Sequence, residues 1–153
     1  MGGIIKEGII SPDEIIGADI LEAGRERVRK EHGIHVTADN REAAGKSEVL
    51  VLSVKPQYYE QAISEIRDCI REEQIIVTLA PGKTLSWLEE KFGKPVKIVR
   101  TMPNTPALVG EGMTAACPNQ YVTDQEKEYV LRILGAFGKV EVVPEHLIDA
   151  VVA

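Results

Sequence analysis

Aromatic residues make up 5% of this 153-residue chain, two Phe, one Trp and four Tyr, so its core must be closed by aliphatic side chains. Cysteine is scarcer: Cys69 and Cys117 stand far apart, with no Cys-x-x-Cys spacing and no histidine cluster beside them. That excludes a disulfide framework and a zinc site of ordinary ligand spacing, and reduced thiols are the expectation. The three histidines, His32, His35 and His146, read as surface residues. There is no excess of basic charge, since 18 Lys+Arg against 24 Asp+Glu leave a formal charge of −6. A nucleic-acid or anionic-membrane binder needs the opposite footprint. Long apolar stretches are missing too: runs such as Val49 to Val54 and Ile75 to Leu79 are too short to cross a bilayer, and Met1 does not open a signal peptide. The expectation is a soluble, cytoplasmic protein with neither nucleic-acid nor membrane partners. Its length is that of one domain, enough to bury roughly 70% of the surface the unfolded chain exposes.

What the chain does have is alternation. Short β-branched runs alternate with segments of helical period, the pattern of βαβ units and a mostly parallel, doubly wound α/β sheet. Strands are predicted at Ile15 to Asp19, Val36 to Thr37, Val49 to Val54, Ile75 to Leu79, Val96 to Thr101 and Lys139 to Val142. Arg25 to Glu31 reads as a helix, and Tyr59, Ala62, Ile63, Ile66, Cys69 and Ile70 recur on one face of another. Thr123 to Glu126 is a capping box opening a helix whose apolar face is Val130, Leu131, Ile133, Leu134 and Phe137. Ser86 to Glu89 is a weaker capping candidate, with Trp87 expected to rest on the sheet, and Ser11 to Glu14 reads as a capped turn with proline at its first helical position. Gly2 to Gly8 reads as the last turns of a helix with a glycine stop, and the apolar run from His146 ends without a terminator, as if the chain were cut at both ends.

Ligands of doubly wound sheets sit at the carboxyl ends of the strands, so the residues just past each strand are the informative ones. Asp19 follows the first; an acid there accepts hydrogen bonds from a ribose 2′-hydroxyl, whereas a 2′-phosphate wants Arg or Lys. Ser53, Val54, Lys55 and Pro56 follow the third, and Ala80, Pro81 and Gly82 follow the fourth, small enough for a flat ligand to approach the backbone. Most unusual is Arg100-Thr101-Met102-Pro103-Asn104-Thr105-Pro106, leading to Gly110 and Gly112. Two prolines three apart fix φ at both ends of a short loop and hold the polar groups of Asn104 and Thr105 between them.

Taken together, Ser53 to Pro56, Leu79 to Gly82, Arg100 to Met113 and Leu147 to Ala150 resemble one family over nearly the whole chain, the pyrroline-5-carboxylate reductases. The resemblance implies a Rossmann-like domain, incomplete here over residues 1–153, that reduces 1-pyrroline-5-carboxylate to proline with NADP or NAD. It implies cofactor contacts from Asn40, from Ser53, Val54, Lys55 and Pro56, and from Ala80, Pro81 and Gly82. Met102, Pro103, Asn104 and Thr105 would lie beside the nicotinamide. The chain departs from the family in having no opening strand with a Gly-x-Gly-x-x-Gly turn, and no helical dimerisation domain through which a homo-oligomer would form. This stretch alone is therefore expected to be inactive. Ile20 after Asp19 favours NAD over NADP, although Arg25 and Arg27 remain within reach of a phosphate. No acid or base is required among the His, Asp or Cys residues, because the cofactor carries the hydride step. The competing expectations are a catalytically silent nucleotide-binding module, and a related reductase of β-hydroxyacids.

Overall fold

The computed structural model describes residues 1–79, 81–104, 112–148 and 150. The expectations at Ala80 and Thr105, and the glycine at 110, lie outside them. In chain order the elements are α1 (Gly2–Lys6), β1 (Ile16–Ala18), α2 (Glu22–His32), β2 (His35–Thr37), α3 (Asn40–Lys46), β3 (Val49–Leu52), α4 (Tyr59–Ile66), β4 (Ile75–Thr78), α5 (Leu85–Phe92), β5 (Lys97–Pro103), β6 (Gly112–Pro118), α6 (Asp124–Leu134), β7 (Gly138–Val142) and α7 (Glu145–Ile148). The fold is α/β and mostly parallel. A five-stranded sheet runs β3-β4-β5-β6-β7, parallel except where β5 meets β6, and β1 and β2 form a separate parallel pair.

Local sequence explains the helices. In α4 the residues at steps of three and four, Tyr59, Ala62, Ile63 and Ile66, are all buried. The capping box forms as expected: Thr123 Oγ1 accepts the Glu126 N–H at 3.3 Å while Glu126 Oε2 accepts the Thr123 N–H at 2.9 Å. For α5 the cap is Thr84, not Ser86, with Oγ1 accepting the Trp87 N–H at 3.2 Å. Both hydroxyls suit the role, but only Thr84 has the extended backbone an N-cap needs.

The core lies on both faces of the sheet. One layer joins Leu50, Leu52, Ile76 and Ile98 to Ala44 of α3, Tyr59 and Ile63 of α4, and Leu88 and Phe92 of α5. The opposite layer joins Ile75, Val77, Val99 and Ala116 to Val130 and Leu134 of α6. Trp87 packs at the margin of the first layer, under the ammonium of Lys83, as expected of a residue resting on the sheet.

Three strand expectations need correction. The strand expected over Val49 to Val54 stops at Leu52, and Ser53 and Val54 lie in the connection that leads to Pro56. Residues 112–118 were not expected to be a strand, because Gly-Met-Thr-Ala-Ala-Cys-Pro carries little β-branched signal; its strand state comes from pairing with β5. The strand before it runs to Pro103 instead of Thr101, so Met102 and Pro103 belong to β5 and only Asn104 begins the connection. Gly138 makes the β6–β7 pairing possible. Its φ is +129° and an added Cβ would lie 2.1 Å from the Gly112 carbonyl oxygen.

Gln74 fastens the amino ends of the strands: fully buried, it donates to the carbonyls of Ala44 at 2.7 Å and Ser47 at 2.5 Å, and accepts the Arg71 N–H at 2.6 Å. At the other end of the sheet order, β3 has a neighbour on one side only, and so does β1. Among the described residues no strand lies between them; α3 packs against β1, β2 and α4 and links the two sheets. On the open strand β3, Val51 is 49% exposed. An unpaired edge with an exposed valine templates strand addition. In the 153-residue chain by itself, Val51→Lys should reduce light scattering on heating while moving stability by less than about 0.5 kcal/mol, measured by denaturant unfolding; unchanged scattering would show that aggregation starts elsewhere.

Candidate functional site

The carboxyl ends of β3, β4 and β5 are neighbours, and their parallel register brings residues 53–56, 81–82 and 103–104 to one rim. Beneath that rim lies Tyr59. Its side chain is buried and its hydroxyl donates to the Leu52 carbonyl at 2.5 Å while accepting the Leu79 N–H at 3.1 Å. One phenol thereby ties the last residue of β3 to the residue after β4. Burial pushes the Tyr59 phenol up to about 12, with the Leu79 N–H pulling weakly the other way. Sequence reading placed Tyr59 only as an apolar position of α4; a tyrosine where the period asks for an aliphatic was the available signal.

Ser53, Val54, Lys55 and Pro56 are all exposed on the rim, Pro56 opening a single helical turn in which the Tyr58 N–H bonds to the Lys55 carbonyl at 2.9 Å. Pro81 and Gly82 form the turn after β4, with Gly82 at a φ of +70°. Met102 faces inward, buried with Ala115, Cys117 and Ile148, so its side chain belongs to the core. Asn104 is exposed and locks the mouth of the β5–β6 pair: its Oδ1 accepts the Met113 N–H at 2.9 Å and its own N–H bonds back to the Met113 carbonyl at 3.1 Å. Burial pushes the Cys117 thiol up, nearby Glu145 adding to the effect and Arg100 opposing it, which disfavours the thiolate.

Asp19 and Asn40 lie beside the other sheet, Asp19 just after β1 and Asn40 at the start of α3, three residues after β2. Asp19 Oδ1 accepts the Leu21 N–H at 2.9 Å, and Arg25 Nη1 donates to the carbonyls of Asp19 at 2.7 Å and Ile20 at 3.1 Å. Ile20 and Leu21 are exposed beside them. Asn40 lies in a pocket lined by Thr37, Ala38, Asp39, Arg41 and Glu65, where its Nδ2 donates to Glu65 Oε2 at 2.8 Å. The carboxylates of this pocket are held ionised. Asp39 is lowered by the N–H and then the side chain of Arg41, and Glu65 by Asn40 and then Gln61. The structure thus sorts the expected residues into two groups: a polar pocket after β2, and a small-residue rim after β3, β4 and β5.

A family model described as "NADP oxidoreductase coenzyme F420-dependent" matches residues 1–82. The chain belongs to this family. Over 151 residues it is 34% identical to a pyrroline-5-carboxylate reductase of Methanosarcina acetivorans, covering 99% of this chain and 56% of the relative. The solved pyrroline-5-carboxylate reductase of Coxiella burnetii superposes with a TM-score of 0.94 at 32% identity, covering 98% of this chain and 56% of that one. The Plasmodium falciparum pyrroline carboxylate reductase, solved with NADP bound, gives 0.86 at 28% identity over 96% of this chain and 53% of that one. The chain spans about half the length of these relatives, and its α/β fold is theirs. No helix among the described residues is long and apolar enough to cross a membrane.

The Tyr59 phenol has a directional consequence at high pH. Its folded pKa exceeds the ordinary 10, so the unfolded chain surrenders the proton first, and the contribution is fully present below pH 10 and lost as pH rises towards 12. Tyr59→Phe should lose about 0.5–1.5 kcal/mol at pH 7 by removing the phenol's two hydrogen bonds while the Leu79 N–H keeps its 3.3 Å bond to the Leu52 carbonyl, and should show a shallower fall in stability between pH 10 and 12, both read from denaturant unfolding. Parallel pH curves for the two proteins would contradict the buried-donor role.

Proposed function

We propose that this chain is the cofactor-binding part of an NADP-dependent reductase of 1-pyrroline-5-carboxylate, the activity that yields proline. The observation that carries the reading is the lock of Asn104 on Met113, which presents Pro103 and Asn104 at the strand ends beside the Pro81–Gly82 turn. Similarity to pyrroline-5-carboxylate reductases along almost the whole chain supports it.

The residues present fit a nicotinamide dinucleotide in its two outer parts. Asn40 and Arg41 in the pocket after β2 offer side-chain donors, and Asp39 offers an acceptor, for the nucleoside end. Lys55 supplies a cation on the rim for a phosphate. Thr78 Oγ1, buried at the end of β4, has no hydrogen-bond partner among the described residues, an orphaned polar atom three residues before the Pro81–Gly82 turn. Asp19 spends one carboxylate oxygen on its own turn, and Arg25 holds that turn rigid, so a choice between NADP and NAD falls to Ile20, Arg25 and Arg27 as much as to Asp19. NADP is proposed first because the family description carries it.

When bound, the reduced cofactor supplies the hydride that reaches the imine carbon. This chain's own residues orient and shield. Pro81, Gly82 and Pro103 offer a low, rigid rim against which a flat ring can lie, and Asn104 keeps that rim from widening. Holding reactants in a near-attack arrangement is worth about 7–11 kcal/mol in well-oriented systems, so no acid or base from the His, Asp or Cys residues is required. The imine-holding residues and the contacts of a homo-oligomer are proposed for the portion of the relatives that this chain does not span. Free thiols at Cys69 and Cys117 suit a cytoplasmic setting.

The polypeptide that carries this chain should oxidise NADPH when given pyrroline-5-carboxylate and not when given 2-keto acids, and should not reduce NADP when given β-hydroxyacids. Nucleotide binding without any turnover would favour a silent binding module instead. In the same protein Asn104→Ala should lower turnover roughly threefold to tenfold, the worth of one neutral hydrogen bond, with cofactor affinity changed less than twofold. A weakened affinity at unchanged turnover would make Asn104 a binding residue.

A further inference from the structure

Among the described residues, Arg100 is the only buried side chain that is charged at neutral pH, 1% exposed within β5. Taking a guanidinium out of water is costly unless geometry compensates. Its register partners, Thr78 on β4 and Cys117 on β6, are uncharged, and its compensation comes from further along the chain. Arg100 Nη1 donates to Glu145 Oε1 at 3.2 Å. The same oxygen accepts the Leu85 N–H at 2.6 Å. Leu85 is the first residue of α5, and the cap Thr84 serves Trp87, so Leu85 has an orphan donor that among the described residues Glu145 meets. One carboxylate oxygen therefore joins three chain exits on one side of the sheet: β5 just before Pro103, α5 just after Gly82, and α7 just after β7.

We propose that Arg100 and Glu145 form a positioning pair that holds the Pro81–Gly82 turn at a set distance from Pro103 and Asn104. The proposal rests on the reductase reading for its consequence in turnover, but not for its geometry. Neither residue is a reacting group. They act through the backbone of α5, which begins three residues after Gly82, and through β5, which reaches Pro103 three residues after Arg100. Lengthening either link widens the rim on which the flat ring is held, and misplaced reacting groups lose rate before they lose affinity.

The chain has one tryptophan, Trp87, in the first turn of α5 with the Lys83 ammonium 4.2 Å from its ring centroid, so its emission reports where α5 begins. In the polypeptide that carries this chain, with any tryptophan outside these 153 residues replaced by phenylalanine, Glu145→Gln keeps an acceptor for Leu85 and removes a charge facing Arg100. It should shift Trp87 emission and lower kcat roughly threefold to tenfold, with the NADPH dissociation constant within twofold of the parent. Arg100→Lys, which keeps the buried charge, should fall between the parent and Arg100→Met and covers the case in which Arg100→Met does not fold. Adding Arg100→Lys to Glu145→Gln should cost less than a further twofold, because the two act as a unit. An unchanged kcat, whatever the melting temperature does, or losses that simply multiply, would overturn the proposal. A parent protein without reductase activity, in which the emission shift and its non-additivity persist, would sink the reductase reading and leave the pair standing.

Discussion

Every side chain of β4, Ile75–Thr78, is buried, on one face by α4 and α5 and on the other by α6. A strand covered on both sides has neighbours that must be reached by crossing over a face, and a crossover returns the chain in the same direction. From that constraint come the parallel β3-β4-β5 order and the gathering of three connections at one rim. The rim is thus a by-product of burial. Residues 53–56, 81–82 and 103–104 are separated by tens of positions in sequence and meet because their strands share one direction.

Aliphatic packing alone would leave the strand ends free to slip, and buried polar side chains prevent it. Gln74 ties α3 to the start of β4. Asn119 accepts the Ile98 N–H at 3.1 Å and donates to the Val96 carbonyl at 2.9 Å and to Glu89 at 2.8 Å, closing the amino end of β5. At the opposite ends, Tyr59 spans β3 and β4, and Thr101 Oγ1 donates to the Thr78 carbonyl at 2.8 Å. Most of these hydrogen bonds go to backbone groups that burial takes out of water. The precision of the rim is therefore set from beneath by residues that face away from any ligand.

The two parts of the site differ in character for the same reason. The pocket after β2 stands on a small two-stranded sheet, is rich in charged groups and is held by side-chain pairs at the surface, Asp39 with Arg41 and Asn40 with Glu65. Such groups recognise hydroxyls and phosphates while remaining solvated. The rim after β3, β4 and β5 stands on the main core, and its residues are small, proline-stiffened and fixed by backbone hydrogen bonds. That suits a flat, weakly polar ring. α3 connects the two, packing its Ala44 into the main core while contacting β1 and β2.

Periodicity and capping chemistry determined most of the elements, because a helix start such as Thr123 to Glu126 and an apolar face such as that of α4 are local and need no distant partner. The placement of Ser53 to Pro56, Pro81, Gly82 and Asn104 at strand ends was legible for the same reason: each follows an apolar run that stops. Three things were not. β6 is a strand because β5 offers it a hydrogen-bonding edge, and Gly-Met-Thr-Ala-Ala-Cys-Pro carries little signal of its own. Met102 sits in the core because β5 continues two residues further than its β-branched run. Arg100, Glu145 and Leu85 lie up to 60 residues apart, and no local pattern in a sequence states that one carboxylate oxygen will serve a buried guanidinium and the first N–H of a helix. Sequence by itself determined most of the helices and strands and which strand ends would carry prolines and polar groups; the tertiary structure alone decided which of those ends meet and what holds them, because both depend on hydrogen bonds between residues that only folding brings together.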